Sequence, residues 1–260
     1  MNVFLWGVFP YVCLTLMVVG LVWRYNSDQY GWTSESSQLR ESRILRWSSP
    51  MFHLGILAVA VGHVMGLVIP KEATEAIGVT QHQYHLLATI GGGLAAVVTL
   101  VGFFGLVYRR FVKRSVRFAN TKRDRVVYVL LTIPLLLGAF ATASNQIFGP
   151  EGGYNYRETI SVWFRSIFFF QPNVEVMAGV PLSFQLHIVA ALLLFAIWPF
   201  TRLVHVFSAP VGYVTRPPIV YRSRKPSTSA TSAYPGWTPV EETKAGGVRG
   251  EDLSAPAHGA

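Results

Sequence analysis

Five long apolar runs divide this chain, and polar or basic segments separate them. They cover residues 3–23, 51–69, 84–108, 126–148 and 182–207. One helical crossing of a bilayer takes ~20 mostly apolar residues, so each run is long enough to span. Pro50 and Pro70 bound the second run, and Pro134 lies inside the fourth, where a kink is expected. Residues 161–170 are apolar and aromatic but too short to cross, so they read as a short helix at the membrane surface or beneath a loop. The pattern predicts an all-α fold, an integral membrane bundle of five transmembrane helices. The first run is expected to remain a span rather than a signal peptide. No basic residue precedes it, and no small-x-small site follows before Arg24. After about residue 225 the chain turns to Pro, Ser, Thr, Gly and Ala. The expected domains are a membrane domain over 1–225 and a disordered tail over 226–260.

Composition agrees with the pattern. Of 260 residues, 51% are hydrophobic and 13% are charged, where soluble domains carry about 25% charged residues. Nineteen of the 22 Lys and Arg residues fall in the segments 24–50, 109–125 and 202 onward. With five crossings these all lie on one side, so the N-terminus is expected outside and the C-terminus in the cytoplasm. The net charge of +9 thus has a topological explanation and calls for no nucleic acid.

The single cysteine, Cys13, excludes an internal disulfide, an iron–sulfur cluster held by this chain alone, and covalent c-type haem attachment. The chemistry falls to histidine. His258 lies in the tail, and the other six are His53, His63, His82, His85, His187 and His205. His53 and His63 share the second run, and His187 and His205 share the fifth. Ionisable residues inside a membrane are costly and usually functional. At 1.5 Å per residue, His63 lies ~15 Å beyond His53, and His205 lies ~27 Å beyond His187 on a span running the opposite way. Matching depth pairs His63 with His187 and His53 with His205. The crossed pairing leaves partners ~20 Å apart. The eighteen residues between His187 and His205 make five whole turns of a continuous helix, which puts both on one face.

Two stacked bis-histidine sites suit haem b, whereas zinc takes a tighter cluster of three or four ligands. Gly55 and Gly62 sit beside these histidines, and Gly91, Gly92 and Gly93 form a smooth patch where a porphyrin or another helix can approach.

The run Phe52-His53-Leu54-Gly55-Ile56-Leu57, then Val61-Gly62-His63, Gln185-Leu186-His187, Pro199-Phe200-Thr201-Arg202-Leu203-Val204-His205 and Ser208-Ala209-Pro210 resembles the gamma (cytochrome b) subunit of respiratory membrane-bound nitrate reductase. The resemblance covers roughly residues 3–225. It implies a distal haem b on His63 and His187 near the outer face, and a proximal haem b on His53 and His205 near the cytoplasm. It further implies quinol oxidation beside the distal haem. Electrons would pass inward to an iron–sulfur beta subunit and a molybdenum-containing alpha subunit that reduces nitrate. The implied location is the bacterial cytoplasmic membrane.

Where the family can place a lysine near the quinol, this sequence has His85, and imidazoles in general titrate near neutrality. His85 would hydrogen-bond a quinol oxygen and accept its proton, and Gly62 would border the same pocket. Arg202, three residues before His205, is placed to pair with a haem propionate or a partner subunit, as are Arg109 and Arg110. Positive-inside anchoring explains the arginines as well. Two alternatives stay open: a related cytochrome b subunit of a sulfur-pathway or heterodisulfide-type complex, and a haem-free membrane anchor.

Overall fold

The computed structural model describes residues 2–32, 39–118, 120–149, 153–208 and 215. The chain divides into two units, Met1–Pro210 and Val211–Ala260. The expected disordered tail, residues 226–260, and His258 lie outside the described residues.

All the regular elements among the described residues are helices. A π-helical turn, Phe4–Val8, leads into α1, Phe9–Ser27. Helix α2, Arg43–His63, runs on into a second π-helical turn, Val64–Val68. The short α3, Lys71–Ala76, precedes α4, Gln81–Val112. After the short α5, Arg114–Arg117, comes α6, Lys122–Thr142, which ends in a third π-helical turn, Ala143–Ile147. Helix α7, Ile160–Phe168, and α8, Leu182–Ile197, complete the set. Five stretches are long and apolar enough to cross a membrane: Phe4–Ser27, Arg43–Val68, Gln81–Val112, Asp124–Ile147 and Leu182–Phe200. Large apolar side chains such as Leu57, Ile90 and Leu94 are exposed on them, as a lipid-facing surface requires.

Local chemistry explains where these helices begin. Thr80 and Gln83 form a capping box at the start of α4, and Thr121 and Asp124 form another at the start of α6. The Glu41 carboxylate accepts the Ile44 amide at 2.8 Å and so caps α2. These caps carry α2 and α4 beyond the apolar runs at 51–69 and 84–108. Pro50 is therefore not a boundary but lies inside α2. The helix absorbs the lost ladder bond because the turn before Pro50 is packed. Ser48 is buried, with its hydroxyl against Gly105 of α4.

Small residues set the α2–α4 contact. A Cβ built on Gly55 would lie 2.8 Å from the Thr99 amide nitrogen, and one on Gly102 would strike the Phe52 backbone. These positions let the two backbones close together. Around Gly91, Gly92 and Gly93, by contrast, an added Cβ meets nothing within 4 Å, so the triple glycine is not where these helices meet.

The fifth span is not a continuous helix to residue 207. Helix α8 ends at Ile197, a 3-10 turn follows over Trp198–Phe200, Thr201 is extended (φ −116°, ψ 173°), and a second 3-10 segment covers Arg202–Val206. Pro199 lacks the N–H that would continue the ladder. The five whole turns expected between His187 and His205 therefore do not exist.

Helix α7 is the short element expected near 161–170, and it packs inside the bundle. Trp163 lies edge-on to Trp6 with ring centres 5.5 Å apart, and its indole N–H donates to the Trp6 carbonyl at 2.8 Å. Its core neighbours include Cys13, Met177 and Leu192.

Candidate functional site

Helix α2 packs against α4, and α8 packs against α1 and α6. Helices α2 and α8 are not closely packed on each other, and imidazoles reach across between them. The rings of His63 and His187 have centres 6.1 Å apart, and those of His53 and His205 6.3 Å apart. The depth-matched pairing is thus the one the fold makes.

Each of the four rings is held by a backbone carbonyl on Nδ1. His53 donates to Ser49 at 2.7 Å, His63 to Val59 at 2.8 Å, His187 to Pro134 at 3.0 Å and His205 to Arg202 at 2.6 Å. A carbonyl oxygen only accepts, so each Nδ1 must carry the proton, and each neutral ring keeps its Nε2 lone pair. This is the orientation by which proteins present histidine to a metal.

The separations fit a metal between the rings. With metal–nitrogen bonds of ~2.0 Å and ring nitrogens ~1.1 Å from their ring centres, two imidazoles on opposite sides of one metal have centres ~6.2 Å apart. Among the described residues no group of three or more His, Cys, Asp or Glu gathers as a metal site, so each pair offers two imidazoles and no third such side chain. A pair of imidazoles is a donor set that would hold a b-type haem, whose porphyrin would supply the remaining ligands. His53 and His63 are exposed.

Glycine makes one of these positions possible. A Cβ on Gly138 of α6 would lie 2.8 Å from Cε1 of His187. Sequence reasoning missed Gly138 and the Pro134 carbonyl, one turn apart on the fourth span. It also missed Arg24 of α1, whose guanidinium donates to the Pro199 and Thr201 carbonyls at 2.7 and 2.6 Å. Those carbonyls flank the break in the fifth span, so Arg24 holds the segment that carries His205.

Arg202 reaches the carboxylate of Asp124 at 3.1 Å, and its guanidinium lies 5.1 Å from the Tyr128 ring centre. Asp124 is buried and also pairs with Arg110 at 2.5 Å. Arg109 pairs with Glu41 at 2.7 Å. Burial pushes the Glu41 carboxyl up, but the Ile44 amide and the Arg109 guanidinium outweigh it and hold its pKa below the ordinary value. All three arginines thus serve carboxylates of this chain.

At the other end of the bundle, His85 lies in the first turns of α4. Its Nε2 is 3.0 Å from Oε1 of Gln146 and 3.4 Å from the Thr89 hydroxyl. It lines a cleft with Gln81, Tyr84, Tyr154, Asn155 and Arg157. Two buried polar atoms of that cleft, Gln81 Oε1 and Arg157 Nε, have no hydrogen-bond partner among the described residues. Beside them, burial pushes the Tyr156 phenol up, its hydrogen bond with Tyr84 adding to the shift. Gly62 is not among the residues lining this cleft, and a Cβ built on it meets nothing within 4 Å. His82 is exposed.

A family model described as nitrate reductase gamma subunit matches residues 2–224. The chain belongs to the nitrate reductase gamma subunit family. It is 43% identical over 221 residues to the nitrate reductase gamma chain of Bacillus subtilis, covering 85% of this chain and 97% of that one. It is 36% identical over 228 residues to the respiratory nitrate reductase 2 gamma chain of Escherichia coli, covering 86% and 98% respectively. It is also 49% identical over 238 residues to the nitrate reductase-like protein NarX of Mycobacterium tuberculosis, covering 91% of this chain but only 36% of that protein. In this gamma-subunit family member the match runs across all five spans and all four paired histidines.

Proposed function

We propose that this chain is the quinol-oxidising, dihaem b subunit of a respiratory nitrate reductase. The observation that carries the reading is that all four imidazoles hold a backbone carbonyl through Nδ1, which leaves each Nε2 lone pair free, and that they lie in two pairs with ring centres 6.1 and 6.3 Å apart. His63 and His187 would hold a distal haem b, and His53 and His205 a proximal one. Haems there supply one-electron redox chemistry at two depths in the membrane.

The chain's own residues do the rest. The cleft of Gln81, Tyr84, His85 and Arg157 has a volume of about 10 Å³, room for about one water, so a quinol headgroup would sit at its mouth beside His85. His85 takes the hydroxyl proton and returns it to water at the outer face. Gly62 lies outside that cleft and, with nothing within 4 Å of a Cβ built on it, would leave open space beside His63. By the positive-inside rule the N-terminus would be outside and the C-terminus in the cytoplasm, in a bacterial inner membrane. There the chain delivers electrons to an iron–sulfur beta subunit and a molybdenum-containing alpha subunit that reduces nitrate. Arg202 would order the segment carrying His205 by its bond to Asp124.

The test is anaerobic addition of a short-chain quinol to membranes containing the chain alone. A b-type absorption band should appear with no nitrate consumed, and nitrate consumption should require the two partner subunits. Failure of quinol to reduce any chromophore in the chain would overturn the reading.

A further inference from the structure

We propose that Gln146 is a positioning residue for quinol oxidation: it fixes His85 as the Nε2–H tautomer and so leaves Nδ1 to accept the proton. The proposal rests on the reading of His85 given above. The argument is one of donors and acceptors. The Gln146 amide nitrogen donates to the Tyr154 carbonyl at 2.8 Å. A carbonyl only accepts, so the orientation of this amide is fixed, and its Oε1 must face His85. That oxygen also only accepts, so the His85 Nε2 that meets it at 3.0 Å must carry the hydrogen. A neutral imidazole has one N–H, which leaves the lone pair on Nδ1. Among the described residues, no hydrogen bond reaches Nδ1 of His85.

The chain therefore sets two opposite tautomers by what it places beside each ring. The four paired histidines meet carbonyls through Nδ1 and present Nε2. His85 meets an amide oxygen through Nε2 and presents Nδ1.

The support behind Gln146 is itself secured. Gln146 sits in the π-helical turn Ala143–Ile147, a widened helical turn of the kind that recurs at functional sites. The backbone carbonyl of its neighbour Asn145 accepts the Tyr154 amide at 3.0 Å, so the residue whose carbonyl orients Gln146 is tied to the same turn. Asn145 also donates to Ser183 at the start of α8, at 2.7 Å. Among the described residues, the titratable and charged groups around the cleft are Tyr84 of α4 and Tyr154, Tyr156 and Arg157 of the loop before α7, with the Lys71–Glu158 pair beyond them. Among the described residues no carboxylate lines the cleft, and in this proposal His85 is the base. The step is one proton transfer: a quinol O–H bond breaks, an Nδ1–H bond forms, and the imidazolium releases the proton to water.

The experiment measures kcat and KM for a water-soluble quinol against pH, in the complete nitrate reductase, for wild type, Gln146→Glu, Gln146→Leu and His85→Ala. A carboxylate at 146 binds imidazolium better than an amide does, so Gln146→Glu should move the acidic limb of the kcat profile by about one pH unit upward. Gln146→Leu frees the tautomer and should lower kcat about tenfold with little change in KM. Both variants should keep the wild-type haem content and spectrum, which checks that they fold. If His85→Ala is slow while both Gln146 variants keep the wild-type kcat and pH profile, His85 works without Gln146 and the proposal is wrong. If His85→Ala itself keeps the wild-type kcat, the underlying reading of His85 fails, and this inference falls with it.

Discussion

The carbonyl oxygen of Pro134 accepts the Nδ1 proton of His187 at 3.0 Å, across two different spans. One turn further along α6, Gly138 leaves the space that the same ring fills. The fourth span thus orients the ring with one residue and makes room for it with another.

From this follows the effect of Gly138→Val. The added carbons would collide with Cε1 of His187, and overpacking of this kind typically costs ~1–3 kcal/mol. The variant should lose the haem of the His63–His187 pair and keep the other, at a lowered unfolding temperature. Haem stoichiometry of the purified variant checks it, and two haems per chain would show that the ring has another way to sit.

Arg24→Gln removes charged donors from the Pro199 and Thr201 carbonyls. Hydrogen bonds from charged groups are worth ~1.5–3 kcal/mol each. The loss should fall on the His53–His205 pair alone, because Arg24 touches the fifth span only at its break. A redox titration resolving two b components should find the potential of one changed and the other as in wild type.

Asp124→Ala strips a buried carboxylate from two arginines, Arg110 and Arg202. Removing one partner of a buried ion pair typically costs ~3–5 kcal/mol. The variant should unfold at lower temperature in detergent than Glu158→Ala, which breaks the more exposed pair with Lys71. Equal melting temperatures for the two would contradict the burial argument.

Much of this was legible in the sequence, and the reasons are physical. Charge depletion over bilayer-length runs located the five spans, and opposite chain directions paired the histidines by depth. Span ends were less legible, because capping by Glu41, Thr80 and Thr121 extends helices into polar sequence. The break at Thr201 was hidden because Pro199 sits in an apolar run whose composition still suits a helix. The supports of the rings were not legible at all. Pro134 is 53 positions from His187, and Arg24 is more than 170 from the carbonyls it holds. Only folding reveals such pairs.

Protonation gives a further expectation. The folded-state pKa of Glu41 is held below its ordinary value. A depressed carboxyl contributes stability above its unfolded pKa and loses it as pH falls through the folded one. Lys71 has the opposite sign: the hydrogen bond from its ammonium to Glu158 raises its pKa. Its contribution is complete below the unfolded value and is lost as pH rises through the folded one. Thermal unfolding of wild type should therefore fall off on acidification below pH ~4 more steeply than that of Glu41→Gln. Parallel curves would mean that Glu41 carries no such linkage.

The most direct test of the central claim is haem stoichiometry. It takes a pyridine haemochrome assay and a dithionite-reduced minus oxidised spectrum of the purified chain, together with His53→Ala, His63→Ala, His187→Ala and His205→Ala. The paired geometry predicts two b haems per wild-type chain and one in each variant, with His63→Ala matching His187→Ala and His53→Ala matching His205→Ala in the component lost. A wild-type chain without haem, or variants that keep both haems, would contradict it.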